Sequence, residues 1–131
     1  MINRFRSQYQ KGDICVTEHF ESEAPISSSQ ILLSLAKLAM KVQKEVNTKT
    51  GLKVALEVLR IHEHVMKNIH EKDNVGGGPM KSFYLDKKSK NKMERSERID
   101  IECYGSFGAS DNLSMLNKYI MMYREYKKWN Q

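Results

Sequence analysis

The sequence predicts an α+β fold, in which a small sheet packs with an antiparallel helical pair and a C-terminal helix. Three observations predict it: a capped amphipathic segment after Pro25, a second helical segment close behind it, and a strict apolar–polar alternation around Ile101. Hydrophobic periods of about 3.6 and 2 residues distinguish amphipathic helices from half-buried strands. With 131 residues, 40% of them hydrophobic, the chain suits one domain over residues 1–131.

The first strand is predicted over residues 13–20, where "DICVTEHF" contains β-branched residues and the break "ESEAP" follows. The first helix then begins at about Ser28. Ser27 and Gln30 match a capping box, and isoleucines stand at both positions of a hydrophobic staple. The apolar stripe of this helix includes Leu35 and Leu38, and the pattern continues to about Val46.

A second helix is predicted from about Leu52, after the breaker "NTKTG". The short connection favours antiparallel packing of the two helices. The side opposite its apolar face, which begins at Lys53, mixes charges at i,i+4 spacing, as a solvent face does. Its apolar face is expected to consist of Leu52, Ala55, Leu59, Met66 and Ile69. We expect Leu35, Leu38, Leu59 and Ile101 in the core.

Two further strands follow the breaker "DNVGGGP". They are "KSFYL" and "RIDIECYGSF", and in the second strand Ile101 and Cys103 alternate with Asp100 and Glu102. One face of this strand is therefore buried and the other is wet. Gly76–Gly78 precede a proline and a strand rather than a helix, so a flexible loop is a better interpretation than a phosphate loop.

Positive charge is concentrated in two places. The net charge is +6, from 22 basic and 16 acidic residues; residues 31–50 hold four basic and one acidic, and residues 74–100 hold seven and four. Clustered lysines favour polyanionic partners, either nucleic acid or an anionic membrane. A solvated helix face and a plain polar loop remain the alternatives, although only Glu45 offsets the helix lysines. The candidate contacts are Lys37, Lys41, Lys44, Lys87, Lys88, Lys90, Lys92 and Arg95.

The chain contains no catalytic or metal-binding motif. His62, Glu63 and His64 lack the H-E-x-x-H spacing, and Cys15 with His19 four residues on is a weak zinc signal. We therefore expect no enzyme activity, no cofactor, no metal and no small-molecule substrate. Cys15 and Cys103 are expected to be reduced and buried.

No apolar stretch suits a signal peptide or a membrane span, so an intracellular protein is expected, in the host cytoplasm or the virion if the source is viral.

The last predicted helix starts at Ser110 or Asp111 and continues to about Trp129. Its apolar arc is wider than one core contact requires. One explanation is a central helix surrounded by core. The other is self-association through a second stripe, composed of Met115, Tyr119, Met122, Tyr126 and Trp129.

Two junctions resemble a known family. "ICVTEHFESEAPISSSQILLSLAKL" is similar to the start of the folded core of rhabdovirus-type matrix proteins, and "ERIDIECYGSFGASDNLSMLNKYI" is similar to its end. The resemblance covers most of the chain and rests on element order and junction chemistry. The chain lacks the Pro-Pro-x-Tyr budding motif that these proteins often carry.

The resemblance implies a non-enzymatic protein of virion assembly, which contacts anionic membrane, nucleocapsid and copies of itself. The alternative is a small nucleic-acid-binding regulatory protein of a phage, virus or bacterium, with the same lysines on a phosphate backbone.

Overall fold

The computed structural model describes residues 2–71, 79–85, 97–107, 121, 124 and 125. In these ranges the elements are β1 (Asn3–Lys11), β2 (Ile14–Ser22), α1 (Ser28–Glu45), α2 (Thr48–Glu71), β3 (Pro79–Tyr84) and β4 (Arg98–Tyr104). The four strands form one antiparallel sheet in the order β2-β1-β4-β3. The α+β prediction is confirmed, and β2, β3 and β4 were predicted. The predicted C-terminal helix lies mostly outside the described residues.

β1 was not predicted, although it is a central strand that pairs with both β2 and β4. Its side chains alternate: Phe5 and Tyr9 are fully buried, whereas Arg4 and Gln8 face the other side of the sheet. A two-residue turn joins β1 to β2, and Gly12 in that turn adopts a φ of 57°. Glycine suits this position because a positive φ is common at the first central residue of tight hairpin turns.

The capping prediction for α1 is confirmed. The Ser27 Oγ accepts a hydrogen bond from the backbone N–H of Gln30 at 3.3 Å, and the Ser27 backbone N–H donates to the Gln30 side chain at 2.8 Å. The staple residues Ile26 and Ile31 are both fully buried. Together these contacts satisfy the first backbone donors of the helix and fix how the chain enters it.

α1 and α2 pack antiparallel, as predicted. Gly51 near the start of α2 lies against Gln43 near the end of α1, and the His62 Nε2 lies 3.0 Å from the backbone oxygen of Ser28. Beneath the helices, the inner sheet face supplies the rest of the core. The largest buried side chains are Tyr9, Phe5, Ile26, Ile31, Leu35, Leu38, Ile61, Ile99 and Ile101. The core predictions for Leu35, Leu38 and Ile101 are confirmed.

Two predictions about α2 were wrong. The helix begins at Thr48 rather than Leu52, because the Asn47 side chain accepts a hydrogen bond from the backbone N–H of Thr50 at 2.8 Å and caps it. Leu59 is only half-buried and packs at the edge of the core. Of the predicted apolar face, Ala55 is buried as expected. Among the described side chains of α2, the other buried hydrophobic ones are β-branched: Val54, Val58, Ile61 and Val65.

The prediction that both cysteines are buried was half right. Cys103 lies on the inner face of β4, and burial raises the pKa of its thiol to about 12. Cys15 is exposed, because the β1–β2 register places it on the outer face opposite Gln10. A shift of one residue along a strand moves a side chain from the core face to the solvent face. Because the neighbours of Cys15 are apolar, the sequence did not indicate on which face it lies.

Candidate functional site

A stripe of four residues lies along the outer side of α1: Leu33, Lys37, Met40 and Lys44, which we call the α1 outer stripe. All four are exposed, Leu33 by 41% and Met40 by 59%. Their spacings of four, three and four residues keep them within about 60° around the helix axis. Two large apolar side chains therefore alternate with two lysines on one solvent-facing line. Such a line offers an anionic membrane surface both charge attraction and exposed apolar side chains.

Lys41 does not belong to that stripe. Its Nζ lies 2.8 Å from the Glu18 Oε2 and donates to the Thr17 backbone oxygen at 2.9 Å, both on β2. The Glu18 side chain is only 15% exposed. The prediction that only Glu45 offsets the α1 lysines was therefore wrong, since Glu18 reaches Lys41 from a neighbouring element. The structure separates Lys37 and Lys44, which face solvent, from Lys41, which faces the sheet.

A second group of charges surrounds Glu97, immediately before β4; we call Tyr9, Lys11, Lys53 and Glu97 the Glu97 cluster. The Tyr9 hydroxyl donates to the Glu97 Oε2 at 2.6 Å, Lys53 bonds the other carboxylate oxygen, and the Lys11 Nζ lies 4.0 Å from Oε2. The Glu97 side chain is only 5% exposed. Lys53 was expected on a solvent face; instead it compensates a buried carboxylate.

The pKa values in the Glu97 cluster follow from these contacts. Burial alone raises the pKa of Glu97, but the hydrogen bonds from Lys53 and Tyr9 and the charges of both lysines lower it overall. Burial, and then the hydrogen bond to Glu97 and its negative charge, raise the pKa of Tyr9 above its usual range. Glu97 is thus ionised and Tyr9 protonated at neutral pH. Neither pKa lies near neutrality, where general acid–base catalysis works best.

The Glu97 cluster also marks the root of the lysine-rich segment. The Leu85 backbone N–H donates to the Glu97 backbone oxygen at 3.0 Å, so the chain leaves and re-enters the fold at one place. The β1–β2 turn lies at the same end of the sheet, since Gln10 pairs with Arg98. Five predicted contacts of that segment and all five predicted self-association residues lie outside the described residues: Lys87, Lys88, Lys90, Lys92, Arg95, Met115, Tyr119, Met122, Tyr126 and Trp129.

The outer face of the sheet is polar and charge-balanced. Arg4 pairs with Glu21, Arg6 with Glu102 and Arg98 with Asp100, at 3.0 to 3.1 Å. Because each of these arginines has its own carboxylate, this face offers little excess positive charge. These ion pairs were not predicted because they depend on the register of β1, although the alternation of Arg4 and Arg6 was a signal.

The histidine and cysteine residues weighed as zinc ligands do not form a metal site in the part of the chain that the structure describes. His62 is half-buried at the Ser28 carbonyl, and His64 is exposed with its ring centre 6.0 Å from that of Phe83. Within residues 2–71, 79–85 and 97–107, no three His, Cys, Asp or Glu side chains are grouped so that they could hold a metal ion.

None of the helices in the described part of the chain has the length and apolar character needed to cross a membrane. Comparison of the chain with protein-family models, with curated proteins and with solved structures finds no match.

Proposed function

We propose that this chain is a non-enzymatic basic protein of matrix type, which binds an anionic membrane surface through the α1 outer stripe. The lysine-rich segment rooted at the Glu97 cluster supplies a second polyanion contact, suited to a nucleocapsid during virion assembly. The observation that carries the proposal is the line of Leu33, Lys37, Met40 and Lys44 on the solvent side of α1.

Two kinds of contact act together on such a stripe. Leu33 and Met40 are already largely in water, so inserting them between lipid headgroups removes apolar surface from water without disturbing the core. A lysine near an anionic lipid surface contributes about 1 kcal/mol. Lys37 and Lys44 make no ion pair with any described residue, so contact with lipid breaks no ion pair in that part of the chain.

Flotation with lipid vesicles tests the proposal. Vesicles of phosphatidylcholine containing phosphatidylserine are compared with vesicles of phosphatidylcholine alone. Lys37→Gln with Lys44→Gln removes about 2 kcal/mol of attraction, so we expect roughly 30-fold weaker partitioning to the anionic vesicles. Leu33→Ser with Met40→Ser should also weaken partitioning, but it should leave the dependence on salt concentration unchanged, because that dependence comes from charge.

The matched control is Lys49→Gln with Lys67→Gln. It removes the same charge from two exposed lysines of α2, which are not part of the α1 outer stripe. If the control pair and the stripe pair weaken binding equally, attraction depends only on net charge and the stripe is not a site. Equal binding to both kinds of vesicle would contradict the electrostatic part of the proposal.

A nucleic-acid-binding regulatory protein is the second candidate, and one observation favours it. Tyr84 is 44% exposed and directly precedes Leu85, where the lysine-rich segment leaves the fold. An exposed aromatic ring beside clustered lysines is how single-stranded nucleic acid is held without sequence preference. The same protein is therefore titrated with single-stranded RNA at equal salt. RNA binding that is lost in Tyr84→Ala, with no binding to anionic vesicles, would favour this candidate over the matrix type.

A further inference from the structure

The two edges of the described sheet, β2 and β3, differ in how they are protected. β3 begins at Pro79, and its pairing with β4 shifts register between Pro79 and Lys81. Proline and a bulge both oppose the addition of another strand. β2 has neither: its nine residues pair with β1 in one continuous register. A long, regular edge strand is a template for pairing with another chain.

The turn at the start of β2 determines which backbone groups face that edge. A two-residue loop makes Lys11 and Ile14 a hydrogen-bonded pair, and such pairs recur at every second residue. The even-numbered residues of β2 therefore bond to β1, and the odd-numbered residues direct their N–H and C=O groups outward. The bond from Lys41 to the Thr17 backbone oxygen agrees, since Lys41 comes from outside the sheet.

Lys41 thus donates a hydrogen bond to an outward-directed carbonyl, that of Thr17, at the middle of the outer edge of β2. Glu18 holds the ammonium there at 2.8 Å. If the β2 edges of two copies pair about a two-fold axis at Thr17, Cys15 faces His19 and Val16 faces Glu18, with no like charges opposed over these central residues. The two Lys41 ammonium groups, in contrast, meet near the axis, where like charges repel.

We infer that the outer edge of β2 is a docking edge for a second copy of this chain, and that Lys41 keeps it closed. This use of Lys41 is independent of the membrane contact proposed for the α1 outer stripe. Of the three lysines of α1, Lys41 thus controls self-association. The association concerned uses backbone pairing at the β2 edge and not the predicted C-terminal stripe.

Sedimentation velocity over a concentration series tests the inference on the full chain. Lys41→Ala should strengthen self-association roughly tenfold relative to the unmodified protein, because the outward Thr17 carbonyl is uncovered and the repulsion is gone. Lys41→Ala leaves the Glu18 carboxylate without its cation. Lys41→Ala with Glu18→Gln is therefore the second variant, and it should associate at least as strongly. Lys49→Ala, the same change at an exposed lysine of α2, should leave association unchanged.

His19→Pro tests whether self-association uses the outer edge of β2. The His19 N–H points outward, so proline removes a donor that the β1 ladder does not use. Added to Lys41→Ala, it should return self-association to the level of the unmodified protein while the far-ultraviolet circular dichroism stays the same. The inference is overturned if both Lys41 variants sediment like the unmodified protein, or if their association survives His19→Pro.

Discussion

Replacing Gly51 with alanine tests how closely α1 and α2 pack. Gly51 is buried, and a Cβ atom added there would contact the Gln43 Cβ and lie 2.6 Å from its Cα and 2.8 Å from its backbone nitrogen. Because two of these atoms are backbone, no change of rotamer relieves the overlap, and the helices have to move apart. Overpacking of this kind costs typically 1–3 kcal/mol. Alanine in place of glycine inside a helix returns about 1 kcal/mol.

The overlap with backbone places Gly51→Ala at the upper end of that range, so we expect a net loss of about 2 kcal/mol in the free energy of unfolding. Urea denaturation followed by circular dichroism measures it. Lys49→Ala, an exposed change in the same turn of α2, is the control and should alter stability by less than about 0.5 kcal/mol. A Gly51→Ala protein as stable as the unmodified one would show that the helices do not approach this closely.

Two further changes test polar groups in the interior. Glu97→Gln should lower the free energy of unfolding by about 2 kcal/mol at pH 7, since it removes a charge-assisted bond to Lys53. The pKa of Glu97 is lower folded than unfolded, so its contribution is full above an unfolded pKa of about 4.3 and is lost as pH falls through the folded pKa. Urea denaturation between pH 7 and pH 3 should therefore show a smaller acid loss in the variant; equal losses would refute the assignment. Ser34→Ala should raise stability by roughly 1 kcal/mol, because the Ser34 hydroxyl is buried without a hydrogen-bond partner among the described residues. Thermal denaturation measures the change. A lower melting temperature for Ser34→Ala would show that the hydroxyl has a hydrogen-bond partner, such as a bound water.

The parts of the fold that sequence reasoning predicted are those in which the signal is local. The capping box of α1 spans four residues, and the alternation in β4 needs only its own seven. β1 alternates as well, but Ser7 occupies the inward position between Phe5 and Tyr9, so the strand has few large apolar residues to reveal it. Its stability comes from pairing with β2 and β4 on either side, and the second of these partners is distant in sequence.

In the candidate site, too, features with a local sequence signal were predicted and features that depend on distant contacts were not. The lysine stripe of α1 was visible from helical spacing alone. The separate role of Lys41 was not, because Glu18 and Thr17 lie in another element. Likewise, nothing local to Glu97 indicates that Lys53 and Tyr9 will surround it, since the residues are brought together by the sheet and the helical pair. The exposure of Leu33 and Met40 depends on which side of a broad apolar helix the sheet covers.

The position of β1 at the centre of the sheet has a consequence during synthesis of the chain. Arg4 pairs with Tyr104, so β1 completes its hydrogen bonds only after β4 has been made. At about 5–20 residues per second, a ribosome takes roughly 5–20 s to add the residues between them. The β1–β2 hairpin, α1 and α2 can form in turn during that interval, while one side of β1 remains unpaired. Neighbouring nascent chains on one messenger RNA would then present identical unpaired strand edges to each other.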